Sequence, residues 1–488
     1  MQTSDTPALD PGMSDTIAAI STPPGRGGIG IVRLSGPQAR AIAEPLLRVR
    51  GEWEANRARL GAVVVEAGNA TGVSNTSAIP NGVLDEAVVT FFAAPRSYTG
   101  EDVVEIAAHG APVLLDALLR ACVTGGARLA EPGEFTQRAF LAGRLDLTQA
   151  EAVEELIAST TLEQARTAAR QLGGGIARQI RPVKEELIAL IAAMEAGIDF
   201  AEDDLEVMPE AEILRRIEAV WEPLSAIEAS FAYGRVLREG FKLAIVGRPN
   251  AGKSSLFNRL VRRERAIVTA QPGTTRDTVT ERLDFGGIPV ELIDTAGLRD
   301  SADEAEAMGI ARSREAMAEA DLVLLVVPAR EELDVEDRAV MQSFAERKLI
   351  VVRNKIDLLA AERAGAQSSA STLHVSGSSH GMPGFAVVGT SAVTGEGLDA
   401  LRAAVLEVLR AVPVEADTAP LTNLRQHQAV VAAMAALRTA AASAMQRVPH
   451  EMVLLDLHEA LAALDGLTGK THTEEILRLI FSRFCIGK

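Results

Sequence analysis

Residues 241–255 read FKLAIVGRPNAGKSS: an apolar run, then a loop with glycines at 247 and 252, then Lys253 and serines at 254 and 255. Few folds accommodate that order. The apolar run reads as a buried strand and the residues after Lys253 as a helix. Loop N–H groups, the lysine ammonium and the helix N-terminus then converge on one phosphate-binding point. Gly247 and Gly252 let the backbone wrap the phosphates. Asn250 and Ala251 fill the turn between them, and the Ser254 hydroxyl, with Ser255 beside it, is placed for Mg2+.

Three further pieces follow in order. PGTTRD supplies Thr274 and Thr275, hydroxyls for a loop that closes on Mg2+ and the γ-phosphate. VELIDTAG is a strand ending in Asp294 and Gly297, a carboxylate for the metal and an N–H for the γ-phosphate. LIVVRNKID is a strand ending in Asn354, Lys355 and Asp357. An Asp carboxylate there accepts from both the ring N–H and the exocyclic amine of guanine, a pair adenine does not offer. TSA at 390–392 brings Ser391 and Ala392 to the base. The segment 241–410 alternates apolar strands with helical stretches, the pattern of a parallel α/β sheet. Four motifs in this order predict a GTP-hydrolysing P-loop domain.

The hydrolytic step lacks one familiar part. Ras-like enzymes place a Gln after the glycine of the DTAG-type motif to orient the attacking water; here that residue is Leu298. Another group must orient the water, and another cation must offset the transition-state charge. Asn250, whose amide oxygen can ligate a monovalent cation, is one candidate. The acids Asp300, Asp303, Glu304 and Glu306 are others, although acids in such a loop are mostly solvated.

With 488 residues, 47% hydrophobic and 24% charged, the chain has the make-up of a soluble protein of two to four domains. Its two cysteines cannot staple a framework, which points to a reducing cytosol. Residues 1–20 show no basic segment followed by an apolar one. They read as a disordered lead-in, not a secretory signal, with Met13 as an alternative start. Apolar runs such as DLVLLVVPA are too short to cross a bilayer, so no membrane anchor is expected. A formal net charge of −17 and 3% aromatics argue against a general nucleic-acid surface, which needs basic side chains and stacking faces. Any RNA contact is local or lent by a partner.

The first 140 residues or so look mixed α and β, with strands expected in GIGIVRLSG, LGAVVVEA, LDEAVVTFFA and EDVVEIAAHG. From about Leu145 the period turns helical. Ile176, Ile180, Val183, Leu187, Ile191 and Met194 share one face, and Pro182 either kinks that helix or opens a second. Helical spacing returns after the α/β segment, with Leu454, Leu457, Leu461 and Leu464 in one seam. Either the α/β module is inserted into one helical domain, or it separates two.

TPPGRGGIGIVRLSG, SYTGEDVVEI, PGEFTQRAFLAGRLDLTQAEAV, REGFKLAIVGRPNAGKSSL, IVTAQPGTTRD, IDTAGLR and the terminal FCIGK together resemble the MnmE (TrmE) family of tRNA-modification GTPases, from about residue 14 to 488. The loops near 66–82 and 361–389 are the parts least covered. The resemblance implies a multidomain α/β protein. It would have an N-terminal α+β folate-binding and dimerisation domain (1–142), a discontinuous all-α helical domain (143–238 and 412–488) and an inserted Ras-like P-loop G domain (239–411).

The same resemblance implies a cytoplasmic homodimer that works with an FAD-dependent partner, MnmG (GidA), in a heterotetramer or larger complex. Together they add an aminomethyl-type (carboxymethylaminomethyl) group at C5 of the wobble uridine of tRNA. A reduced folate (formyl- or methylene-tetrahydrofolate) is the one-carbon source, and K+ switches on GTP hydrolysis by bringing two G domains together. Carried over by residue, Asn250, Thr269, Gln271 and Thr274 surround the potassium, Ser254 and Thr275 hold magnesium, and Glu306 orients the water. Arg33, Glu105 and Lys488 map to the folate site. The family's folate-contacting lysine falls here on Arg144, which keeps the charge and changes the geometry.

The terminal CIGK has the spacing of a prenylation box. Gly487 and a final Lys488 fit that box poorly, however, and no polybasic stretch leads into it. Thr471 and Glu474 form a capping-box pattern for a last helix, with Ile476, Leu477, Ile480, Phe481 and Phe484 on its apolar face. Cys485 then either closes that helix as a small apolar residue or, by the resemblance, reaches the folate pocket with FCIGK and bears on the chemistry. GRGGIG matches a dinucleotide fingerprint through Gly25, Gly27 and Gly30, but strand-like IVRL follows it, so a turn before a strand is expected. GLTGKT lacks the first glycine of a phosphate loop, where Leu464 stands, and reads as a helix-to-helix turn. A second function class stays open: a regulatory or ribosome-assembly GTPase whose conformational switch is its whole output.

Overall fold

The computed structural model describes residues 15–64, 82–199, 208–264, 280–294, 319–344, 348–359, 385–409, 419–470, 474–482 and 484–487. Thr269, Gln271, Thr274, Thr275, Gly297, Leu298, Asp300, Asp303, Glu304, Glu306, Thr471 and Lys488 lie outside the described residues, as does the side chain of Asp294. Two compact units emerge, Met1–Glu154 with Asp465–Lys488, and Glu155–Leu464.

In the first unit seven strands form a sheet in the order β3-β4-β5-β6-β2-β1-β7. They are β1 (Ile17–Ile20), β2 (Gly27–Ser35), β3 (Leu47–Val49), β4 (Ala58–Val63), β5 (Asp85–Phe92), β6 (Val103–Gly110) and β7 (Arg128–Leu129). All neighbours are antiparallel except β1 and β7. The alternating stretches form β2, β4, β5 and β6, as their period requires. β1 departs from expectation: IAAI, read as lead-in, is an interior strand. Ala18 joins Val32 and Leu34 on one face while Ile17 and Ala19 meet Ala130 and Phe135 on the other. A strand buried on both faces has no alternation to read.

Helix Pro112–Thr124 begins on a proline, where the missing N–H has no helical partner to lose. It buries Leu115 and Leu118 against Val32, Leu34 and Ile106, each leucine contributing roughly 1.5–3 kcal/mol. Gly30 admits it, since a Cβ there would stand 2.3 Å from Leu115 Cδ1. GRGGIG thus leads into β2 and not into a helix. On the sheet's other face Leu60, Val88, Ala107 and Ile31 lie in register across β4, β5, β6 and β2. Leu60, Val88 and nearby Ile29 are exposed.

The chain's end returns to this unit. Helix Glu474–Phe481 and the turn after it bury Leu477, Phe481 and Phe484 with Leu147 and Ala150, and Ile486 then pairs with Pro132 in an antiparallel bridge. Gly133, at φ 69°, lies where a Cβ would be 2.7 Å from the Phe481 carbonyl oxygen. Only glycine admits the tail there.

In the second unit helices Leu162–Leu172, Gly175–Asp199, Glu210–Ala229 and Phe231–Glu239 precede an α/β module, and helix Leu424–Met445 and most of His450–Thr468 follow it. Leu424–Met445 packs along Glu210–Ala229, which packs on Gly175–Asp199, so segments from both sides of the module share one bundle. Pro182 sits inside a continuous helix, with Ile176, Ile180, Val183, Leu187, Ile191 and Met194 all buried. The last seam runs through Val453, Leu454, Leu457, Ala460 and Leu464, while Leu461 is only half-buried. Leu424–Met445 is long and apolar enough to cross a bilayer by length and composition alone, longer than any apolar run singled out in the sequence. Its Val430, Ala433, Leu437 and Ala440 are buried.

The module is a six-stranded sheet ordered β13-β12-β11-β8-β10-β9. Its strands are β8 (Phe241–Val246), β9 (Thr280–Phe285), β10 (Ile288–Asp294), β11 (Leu322–Pro328), β12 (Leu349–Asn354) and β13 (Ala386–Thr390). Every pair but β9–β10 is parallel. β11 is buried throughout: Leu322, Leu324 and Val326 enter one core, and Val323, Leu325 and Val327 the other. The phosphate loop, Asp294, Asn354 and the 390–392 turn all lie at carboxyl ends of strands, the edge where open α/β sheets place ligands.

Candidate functional site

After Val246 the chain turns through three residues of positive φ, Gly247 (145°), Asn250 (62°) and Gly252 (95°). Contacts demand the two glycines as much as the dihedrals do. A Cβ at 247 would be 2.2 Å from the Val326 carbonyl oxygen of β11, and one at 252 would be 2.3 Å from Asn354 Nδ2. Asn250 takes the left-handed conformation that asparagine tolerates best among residues with a Cβ. The loop runs into helix Lys253–Glu264 with Ser254 and Ser255 exposed in its first turn, where backbone N–H groups have no helical acceptor. Lys253 Nζ donates to the carbonyls of Gly247 at 2.7 Å and Arg248 at 2.8 Å.

The base-recognition motif is tied to this loop. Asn354, 1% exposed, donates from Nδ2 to the Ala251 carbonyl at 3.0 Å and to that of Gly252 at 3.5 Å. Its Oδ1 accepts from Thr390 Oγ1 and the Ala392 N–H, both at 3.3 Å. Lys355, at φ 67°, sends Nζ to the Asn250 carbonyl at 2.6 Å. The Ser391 hydroxyl donates to Asp357 Oδ1 at 2.6 Å and so orients that carboxylate. Asn250, Ala251, Gly252, Lys253, Asn354, Lys355, Asp357, Ser391 and Ala392 are thus joined at one edge of the sheet. The Asp294 backbone ends β10 at the same edge. Thr390, left without a role by the motif, turns out to orient Asn354.

In the first unit Arg33 on β2 lies opposite Glu105 on β6. Its Nε and Nη2 both reach Glu105 Oε1, at 2.9 and 2.7 Å, and Nη1 donates to the Gly487 carbonyl at 3.5 Å. The guanidinium carbon is 5.7 Å from the Tyr98 ring centre and 5.6 Å from that of Phe135. Gly487 is lodged where a Cβ would be 2.5 Å from the Ile20 carbonyl oxygen. Arg144 is exposed and makes a different contact, donating from Nη1 to the Pro95 carbonyl at 3.1 Å. It reaches the loop that carries Tyr98. Tyr98 and Gly487 are neighbours that motif reading missed; an aromatic within SYTGED, in so aromatic-poor a chain, was the available signal.

Cys485 corrects one expectation. It does not close the last helix from inside the core, a role taken by Phe481 and Phe484. Cys485 is exposed, and its carbonyl accepts from the Gly133 N–H at 3.4 Å. The buried thiol is Cys122, pushed up to about 12 by burial and so protonated at neutral pH.

A family model described as GTP-binding protein TrmE N-terminus matches residues 16–144, and one described as MnmE helical domain matches residues 147–485. A tRNA modification GTPase MnmE from Koribacter versatilis is 53% identical over 98% of this chain and 100% of its own length. The chain belongs to the MnmE family. MnmE proteins from Roseiflexus sp. and Symbiobacterium thermophilum are 42% and 44% identical, each over 97% of this chain and 99% of their own. Among solved structures, the G domain of the T. maritima FeoB iron transporter is 28% identical and covers 34% of this chain and 98% of that one, with a TM-score of 0.23. The MnmE helical match extends across the α/β module.

Proposed function

We propose that this MnmE-family chain binds and hydrolyses GTP and couples the cycle to modification of the wobble uridine of tRNA. One observation carries the nucleotide half. The Asn354 amide is bonded on one side to the phosphate loop and on the other to the 390–392 turn. A ligand with a purine at one end and phosphates at the other suits that bridge, and the carboxylate of Asp357 selects guanine. The tRNA half is supported by a relative named tRNA modification GTPase at 53% identity along the whole chain.

The loop N–H groups and Lys253 receive the phosphates. Ser254 at the helix start, with Thr275 and phosphate oxygens, would give the all-oxygen donor set that suits Mg2+, whose charge would offset that building on the phosphates. Asp294 would supply a carboxylate toward the metal and Gly297 an N–H toward the γ-phosphate. Asn250, Thr269, Gln271 and Thr274 would hold K+, and Glu306 would orient water in place of a Gln after Gly297. By the family resemblance, that potassium would also pair two G domains.

Arg33, Glu105, Arg144 and Lys488 would hold the folate, and Cys485 would bear on the chemistry there. A half-buried guanidinium–carboxylate pair next to Tyr98 suits a flat, hydrogen-bonding ring. The exposed row through Leu60 and Val88 supports a homodimer formed by the N-terminal domain (1–142), with the helical domain in two parts (143–238 and 412–488) around the G domain (239–411). An FAD-dependent partner, MnmG, supplies the remaining chemistry in the cytoplasm. Mass spectrometry of tRNA nucleosides from cells with and without this gene tests the reading: loss of an aminomethyl-type wobble uridine is expected. An unchanged profile with intact GTP hydrolysis would hand first place to a switch GTPase.

A further inference from the structure

The phosphate loop has a second anchor besides Asn354. Arg248 follows Gly247. Its Nη1 lies 3.2 Å from Glu331 Oε2 and 3.1 Å from Asp334 Oδ2, and its Nη2 lies 3.1 Å from Asp337 Oδ2 and 3.3 Å from the Glu332 carbonyl. All four partners come from the segment that leaves β11 and opens helix Val335–Ser343.

That segment is capped where it grips. Asp334 Oδ1 accepts the Asp337 N–H at 2.8 Å, and Asp337 Oδ2 accepts the Asp334 N–H at 3.2 Å, a reciprocal cap on the helix. Asp337 is 2% exposed, so its charge depends on the Asp334 N–H and the arginine for compensation. At the other end of the same residue, the Arg248 carbonyl accepts from Lys253 Nζ. A continuous path therefore runs from the capped helix start through Arg248 to the phosphate-binding ammonium.

Charge and geometry argue in opposite directions here. Three carboxylates face the Arg248 guanidinium, and Arg353, which donates to the Glu331 carbonyl, offsets their charge only in part, so negative charge remains beside a loop that receives phosphates and its Coulomb repulsion weakens nucleotide binding. If the cluster acted through charge alone, neutralising one acid would tighten binding. If it acts by fixing the loop, neutralising the acid that holds Arg248 would loosen it.

We propose that Arg248 is a positioning residue for the GTP phosphates. Asp337, with Asp334 and Glu331, holds its guanidinium, and the clamp fixes the first turn of the loop and, through the Arg248 carbonyl, the Lys253 ammonium. This rests on GTP being the loop's ligand.

The test compares Asp337→Asn with Glu336→Gln in the full chain. Glu336 is exposed in the same helical turn and makes none of these contacts, so its variant removes the same charge without touching the clamp. Fluorescent GDP titration and steady-state GTP hydrolysis are read together. Asp337→Asn is expected to weaken GDP binding about tenfold and to raise KM for GTP more than it changes kcat. Glu336→Gln should bind as the wild type or slightly tighter. Arg248→Ala should match Asp337→Asn, and the double variant should be no weaker than either, since both break one linkage. Equal or tighter GDP binding by Asp337→Asn would overturn the proposal. Should that variant unfold, Arg248→Lys, which keeps charge and loses the planar fork, decides: weaker binding supports the clamp and wild-type binding overturns it. A wild-type chain that bound no guanine nucleotide would overturn the proposed function as well, so the two failures are distinct.

Discussion

Asn354 Nδ2 lies 3.0 Å from the Ala251 carbonyl oxygen, so the guanine-recognition motif and the phosphate loop share a hydrogen bond within the core of the site. Asn354→Ala removes that bond and the two that Oδ1 accepts from Thr390 and Ala392. Each buried group left unpaired costs about 1–3 kcal/mol. GDP affinity should therefore fall by more than about tenfold in a fluorescent titration. Unchanged affinity would mean that the loop keeps its shape without the motif.

Base selectivity rests on Asp357, whose carboxylate is oriented by Ser391 at 2.6 Å. Asp357→Asn replaces an acceptor with an amide that can donate to the extra carbonyl of xanthine. GTP affinity should drop by about two orders of magnitude, and XTP should become the better ligand. Competition of GTP against XTP in the same hydrolysis assay reads the inversion directly, and retained GTP preference would remove Asp357 from the base pocket.

The α/β module was legible because GRPNAGKS, DTAG and NKID carry their own context: each motif sits where a mostly apolar strand stops. β1 was hidden for the opposite reason, since Ile17, Ala18 and Ala19 are buried on both faces and no period marks them. Pro182 was ambiguous because one proline can either end or bend a helix, and only the packing of residues on both sides of it decides. Long-range partnerships were out of reach. Nothing about Arg248 or Asp337 alone announces that one grips the other, and Arg33 and Glu105, assigned to one site by family likeness, were not seen as an ion pair until the sheet register placed the two side by side.

Arg33 connects the sheet to the chain's end through Glu105 and Gly487. Arg33→Ala leaves Glu105 half-buried without its partner and removes the cation from the proposed folate site. Binding of a reduced folate, followed by calorimetry, should be lost. Arg33→Lys should retain a weaker form of it, because an ammonium cannot make both contacts. If Arg33→Ala binds folate as the wild type does, the site lies elsewhere.

Cys485 is exposed one residue before the bridge between Ile486 and Pro132. Cys485→Ser keeps the size and the backbone contact to Gly133. If the thiol takes part in the modification, Cys485→Ser abolishes the modified nucleoside while leaving folate binding intact. If only the segment matters, modification survives.

The first unit also carries an acid-sensitive network. Arg138, 3% exposed, meets Asp15 at 2.7 Å, Glu134 at 2.9 Å and Glu101 at 3.1 Å, and Arg128 meets Asp15 at 2.7 Å and Glu134 at 2.6 Å. Burial by itself raises the Glu134 carboxyl. The bonds from Arg128, the Glu131 N–H and Arg138 outweigh burial and hold it below its ordinary value of 4.5. For Asp15 burial again raises, Arg128 and Arg138 lower, and the balance falls below 3.8. A carboxyl depressed on folding contributes stability that is present above its unfolded pKa and lost as pH falls through the folded one. Tm should therefore hold between about pH 7 and 5 and fall steeply below about pH 4.5. Glu134→Gln should lower Tm at neutral pH and flatten that acid limb, followed by circular dichroism of the full chain. An acid limb as steep in Glu134→Gln as in the wild type would locate the sensitivity in carboxylates other than this one.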